Sequence, residues 1–136
     1  MMRRRVAQAR VGRLATVGAD GQPHLVPVCF ATTGDRLVTA VDNKPKTSTA
    51  LKRLDNVRAN PAVSLLVDHF EEDWALLWWV RVDGQARVVE ESAELDTLLE
   101  PLHAKYRGHY GLRPPRGPAI VVDLRRWVGW SASASG

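Results

Sequence analysis

The run Arg13-Leu14-Ala15-Thr16-Val17-Gly18-Ala19-Asp20-Gly21-Gln22-Pro23-His24-Leu25-Val26-Pro27-Val28 decides the fold. Residues 14–17 are short and mostly apolar, and they end at Gly18-Ala19-Asp20-Gly21. Asp-Gly between two such runs marks a hairpin, because the turn needs positive φ. Residues 24–31 read as the returning strand. Pro27 within it has no amide proton, so this strand needs an edge or a bulge there. Thr33-Gly34-Asp35 marks a second turn, and residues 36–41 a third strand.

Before this run, residues 1–11 read as a short helix in which Val6, Ala7 and Ala9 can pack. After it comes a polar loop, 42–46, that contains Pro45. A helix follows from Thr47 or Ser48, where a hydroxyl caps free amides. Leu51, Leu54 and Val57 form its apolar stripe, and Asn60-Pro61 stops it. Residues 63–67 read as a buried strand, 69–73 as an acidic turn and 74–82 as another strand. Asp83-Gly84 is expected to turn the chain into residues 85–90. A second helix over 92–106 places Leu95, Leu98, Leu99, Leu102 and Tyr106 on one face. Pro101 is expected to kink or divide it. Residues 107–118 form a Gly/Pro-rich loop, 119–124 and 128–131 the last strands, and the end is a frayed tail. Hairpins dominate, with helices inserted between them. This pattern predicts a mainly β (α+β) antiparallel barrel, not a parallel α/β sheet. No repeat or linker interrupts it, so residues 1–136 read as a single domain.

Composition agrees with one ordinary domain. The 136 residues are 45% hydrophobic and 25% charged, which excludes a disordered or fibrous chain. Apolar runs such as residues 74–80 are too short to span a membrane, and no signal-peptide pattern opens the chain. Cys29 is the single cysteine, so nothing requires an oxidising compartment. A soluble, cytoplasmic protein is expected. The net charge of +4 argues for anionic company. Five arginines fall within residues 3–13. Between Asp42 and Arg58, Lys44, Lys46, Lys52, Arg53 and Arg58 face only Asp42 and Asp55.

Catalytic signatures are absent: there is no phosphate-binding Gly-rich loop, no nucleophile elbow and no Cys/His metal spacing. The four histidines are scattered over different elements, so no metal is expected. Cys29, between Val28 and Phe30, reads as a buried inert thiol. The loop after residue 41 is more informative. A strand end feeds Lys44 and Lys46, and a helix opens at residues 47–49. Helix amides, hydroxyls and two lysines converging there make an anion site; a solvated basic loop with a capping hydroxyl is the plainer reading.

Arg13 to Val28, then Thr39-Ala40-Val41-Asp42-Asn43-Lys44-Pro45-Lys46-Thr47, and then Asn60-Pro61-Ala62-Val63-Ser64-Leu65-Leu66-Val67 occur in that order. Together with Val80-Arg81-Val82-Asp83-Gly84-Gln85-Ala86 and the ending at residues 127–131, the chain resembles the pyridoxamine-phosphate-oxidase-like split β-barrel superfamily. It is most similar to the deazaflavin (coenzyme F-420)-dependent branch. The resemblance covers nearly the whole chain. It implies an FMN-binding-like split barrel in which Lys44, Lys46 and Thr47 hold a cofactor phosphate. Thr39, Ala40, Val41, Pro27 and Val28 would then flank the ring. It also implies a homodimer with cofactor sites at the subunit boundary, and no obligatory catalytic side chain. Trp78 and Trp79 must point to opposite faces of their strand; one can fill the barrel and the other is left for an interface, or helices cover both faces, and Trp79 is an expected cofactor contact. The function implied is hydride transfer from reduced coenzyme F-420 to a small organic acceptor. FMN in the same groove, or a non-catalytic cofactor carrier, are the alternatives. Nucleic acid is disfavoured, because aromatic and basic residues do not alternate along one strand.

Overall fold

The computed structural model of the chain describes residues 1–41, 48–90, 93–110 and 117–132. Its strands are β1 (Gly12–Val17), β2 (Pro23–Val28), β3 (Ala31–Thr33), β4 (Arg36–Ala40), β5 (Ala62–His69), β6 (Trp78–Val89) and β7 (Ala119–Ser131). Its helices are α1 (Met2–Gln8), α2 (Ser48–Ala59), α3 (Ala93–Lys105) and the short α4 (Arg107–Tyr110). All seven strands join one antiparallel sheet in the order β2-β1-β5-β6-β7-β4-β3. The two edge strands, β2 and β3, are separated in sequence only by Cys29 and Phe30. Three Cα steps span at most about 11 Å. The sheet must therefore curl until its edges meet, and the result is a split β-barrel with flanking helices.

The inside of the curl is filled by Leu14, Phe30, Leu37, Leu65, Val67, Val80 and Val82. Val6 of α1 and Leu54 and Val57 of α2 close it. A second core lies on the opposite face of the sheet. There Val38, Val89, Ala119 and Val121 pack under Leu95, Leu98, Leu99, Leu102 and Tyr106, the face of α3 expected from helical spacing.

The Asp20-Gly21 turn forms as expected, with Gly21 at φ 78°. Pro27 lies on an edge strand. Several expectations need correction. Residues 24–31 are two strands at opposite edges, because Phe30 turns inward and is fully buried. Asp83-Gly84 is no turn. β6 runs straight through it with a register shift against β7. A Cβ at Gly84 would overlap the Asp123 carbonyl oxygen and lie 2.6 Å from Val122 Cγ1, so the glycine serves close backbone approach. Residues 119–131 form one strand and not two. Trp74–Leu76 is a 3-10 turn capped by the Asp73 carboxylate, so β6 begins only at Trp78. Pro101 sits inside α3 without dividing it. Leu51 is exposed, and its expected place in the stripe of α2 passes to Asn56, which is buried.

Candidate functional site

The end of β4 meets the corner between β2 and β3. Thr39 is buried, and its hydroxyl donates to the Cys29 carbonyl at 2.6 Å. That bond ties the end of β4 to the residue that follows Val28, and Val28 and Val41 share the inner core. The Val28 and Val41 side chains are in the core, so only their backbone is available to a ligand. The Val41 amide donates to the Pro118 carbonyl at 2.9 Å, on the β7 side. Peptide groups alternate along an antiparallel strand, so the Ala40 N–H and C=O point the other way. On that side the β3 ladder ends at the Ala31–Val38 pair. Among the described residues, Ala40 thus presents one donor and one acceptor beyond the end of β3.

Residues the sequence reading passed over hold this corner. The Tyr106 hydroxyl accepts from the Phe30 amide at 3.2 Å and lies 3.0 Å from both the Phe30 and Arg10 carbonyls. The Lys105 ammonium donates to the Phe30 carbonyl at 2.9 Å and sits 4.1 Å above the Phe30 ring. Arg10 stacks on Tyr106 at 4.5 Å. Burial, with the Arg10 charge adding to it, pushes the Lys105 ammonium down to about 8, while burial pushes the Tyr106 phenol up. Cys29 is half-buried and packs against the second core. Tyr106 was legible as the end of the leucine stripe of α3, but its hydroxyl's target was not.

Lys44, Lys46 and Thr47, the expected phosphate ligands, lie outside the described residues. Their segment joins Val41 to the start of α2. On α2, Arg53 Nε is buried with no hydrogen-bond partner, and burial pushes the guanidinium below its ordinary range. Partial desolvation of this cation, with no anion beside it among the described residues, is costly, and an anionic ligand would relieve that cost. Its neighbours are already engaged. Asn56 donates to the Thr16 hydroxyl at 3.1 Å, with Gly18 making room for it, and Lys52 reaches Asp20 at 3.9 Å. The chemistry of α2 therefore fits an anionic group. Arg53 stood within the basic stretch 44–58, but nothing local distinguished it from its neighbours.

Trp79 lies elsewhere. It faces outward, opposite Asp68 of β5 and Trp130 of β7, whereas Thr39 pairs with Ile120 of β7. Ten residues of β7 separate these points, roughly 33 Å along the strand at about 3.3 Å per residue. Trp78 points inward, packing on the core with Arg5 4.6 Å above its ring and His69 stacked on it. The outward face also carries exposed Leu25, Leu66 and Trp130. The structure thus ties Thr39 and Val41 to the corner that follows Val28, and leaves Trp79 at the far end of the sheet.

A curled antiparallel sheet whose edges meet at the β2–β3 corner, closed by α1 and α2, defines a split-barrel domain. The chain belongs to the pyridoxamine 5'-phosphate oxidase family, which matches residues 1–130. No curated protein matches it. Among solved structures, a conserved hypothetical protein from Mycobacterium tuberculosis is similar at 26% identity and a TM-score of 0.70, covering 95% of this chain and 81% of that one. An FAD-binding protein from Mesorhizobium loti shares 24% identity over 94% of this chain and 90% of its own, with a TM-score of 0.71. An F-420 reductase shares 24% identity over 92% and 94%, with a TM-score of 0.64. Among the described residues, no helix is long and apolar enough to cross a membrane.

Proposed function

We propose that this protein is an oxidoreductase that binds the deazaflavin coenzyme F-420 and passes hydride from its reduced form to a small organic acceptor. The observation that carries this reading is the buried Arg53 Nε, which has no hydrogen-bond partner among the described residues, on the helix that follows Lys44, Lys46 and Thr47. Lys44, Lys46 and Arg53, with the Thr47 hydroxyl, suit a phosphate with further negative charge behind it, and the tail of coenzyme F-420 is polyanionic. FMN in the same groove has one phosphate and makes less use of this charge. The F-420 reductase among the structural neighbours supports the choice.

When bound, the cofactor supplies the hydride chemistry. The chain's own work is binding and orientation. Lys44, Lys46, Thr47 and Arg53 hold the phosphate end. The Ala40 N–H and C=O meet the polar edge of the ring, and Thr39, Val41, Pro27 and Val28 shape the backbone around it. The outward sheet face, with Leu25, Leu66, Trp79 and Trp130, pairs with a second copy of the chain. That assigns Trp79 to the interface and not to the ring of its own subunit.

Fluorescence titration with coenzyme F-420 and with FMN tests the reading. The deazaflavin should bind at least tenfold tighter. Lys44→Ala and Lys46→Ala should each weaken it about ten- to a hundredfold, as expected for loss of one charge-assisted contact. Equal affinity for the two cofactors overturns the preference for the deazaflavin. Unchanged affinity in Lys44→Ala/Lys46→Ala overturns the phosphate site. Turnover with candidate acceptors then separates a reductase from a carrier.

A further inference from the structure

A cavity of about 670 Å³ lies between α3 and the β3–β4 hairpin. It is independent of the cofactor reading. Its floor is apolar: Ala31, Val38, Leu98, Pro101 and Ala104. A volume of this size is ordinary for small-molecule sites. Its polar groups are mostly acceptors. Asp35, Glu100 and Asp123 line it, with Arg36 as the single lining cation. Asp35 is already paired with Arg3 at 2.8 Å. Arg36 stands directly opposite Asp123 in the β4–β7 register. Glu100 and Asp123 make no ion pair among the described residues. Three carboxylates against two guanidinium groups leave one negative charge at the cavity.

The helix adds an acceptor. In α3 the amide of residue 101 would donate to the Thr97 carbonyl, but Pro101 has no N–H. The Thr97 carbonyl therefore lacks its helical donor, and Thr97 and Pro101 both line the cavity. An apolar floor, one negative charge in excess and a carbonyl without its helical donor select a molecule with one positive charge, N–H donors and a compact hydrocarbon body.

We infer that the cleft between α3 and the β3–β4 hairpin is a binding site for a small organic ammonium ion. Glu100 and Asp123 hold its charge, the Thr97 carbonyl accepts one of its N–H groups, and Val38, Leu98 and Ala104 pack on its carbon skeleton.

The probe is cyclohexylammonium, titrated into the intact protein and followed by amide chemical shifts. Cyclohexanol and cyclohexanecarboxylate serve as the neutral and anionic comparisons. Saturable shifts should centre on Thr33, Val38, Leu98 and Ala104, with the cation binding at least tenfold tighter than the alcohol and the carboxylate weakest. Glu100→Gln and Asp123→Asn should each weaken the cation several-fold and leave the alcohol unchanged. Pro101→Ala gives the Thr97 carbonyl its helical donor back. It should weaken the cation while raising the thermal midpoint, a pair of opposite effects that simple loss of folding cannot produce. Equal binding of cation and alcohol overturns the inference, as does the absence of saturable shifts at these residues. Unaltered cation affinity in Glu100→Gln/Asp123→Asn overturns it too, and tighter cation binding in Pro101→Ala overturns the role of the carbonyl.

Discussion

Tyr106→Phe removes a single oxygen from the corner that closes the barrel. The ring keeps its place in the second core and its stack under Arg10, so no cavity of consequence forms. What is lost is the acceptor for the Phe30 amide and a donor to either the Arg10 or the Phe30 carbonyl, since one proton serves only one of them. The Phe30 carbonyl retains the Lys105 ammonium. The Arg10 carbonyl lies on an exposed residue, where water can replace the phenol. The Phe30 amide has neither recourse, because Phe30 is fully buried. Leaving a buried donor unsatisfied costs about 1–3 kcal/mol, and the lost donated bond about 1 kcal/mol more. The expected destabilisation is therefore about 2–4 kcal/mol, a sizeable fraction of a small domain's stability. Urea unfolding followed by tryptophan fluorescence reads it directly. The slope against urea should be unchanged, because the surface exposed on unfolding hardly differs. Exchange of the Phe30 amide with solvent should quicken in parallel. A loss below about 0.5 kcal/mol with a still-protected Phe30 amide would refute the role given to this hydroxyl.

Gly84→Ala should cost about 3 kcal/mol in chemical denaturation, because its Cβ meets the Asp123 backbone, which cannot swing aside as a side chain would; parent-like stability would show that the strands can separate there. Lys105 binds its proton less tightly when folded, with its value lowered from 10.5 to about 8. Between these values the unfolded chain holds more protons, so stability should rise with pH from about 8 towards 10 and Lys105→Met should flatten that rise. The full shift is worth about 3 kcal/mol, but the ammonium is half-exposed, and solvent screening reduces the expected rise to about 1 kcal/mol. An identical pH profile in the variant would dismiss Lys105 as its source. For assembly, light scattering should give twice the chain mass for the parent and one chain mass for Leu66→Glu, with circular dichroism unchanged; a monomeric parent at micromolar concentration removes the paired-face proposal.

Much of the architecture was legible in local pattern. The leucine spacing of α3, the Asp20-Gly21 turn and the edge position required by Pro27 each follow from the chemistry of a few neighbouring residues. So did the alternation that puts Trp78 and Trp79 on opposite faces, although only the packing shows that Trp78 is the inward one. Asp20-Gly21 and Asp83-Gly84 mark where this stops. The same dipeptide turns the chain at one site and runs straight through a strand at the other. At the second site, twelve residues of β6 pair with both β5 and β7, and the glycine is needed for close approach to Asp123. Such pairings join residues far apart in sequence, so no local signal carries them. The break at Cys29 and Phe30 has the same origin. An apolar run is cut into two strands because Lys105 and Tyr106, some 75 residues later, take up the Phe30 peptide groups. For the candidate site, the sequence offered a basic stretch in which Lys52 and Arg53 look alike. Folding leaves Lys52 at the surface beside Asp20 and buries the Arg53 Nε without a hydrogen-bond partner among the described residues. Charge is a property of the residue, but desolvation depends on what packs around it, and that is set only when α2 closes over the barrel.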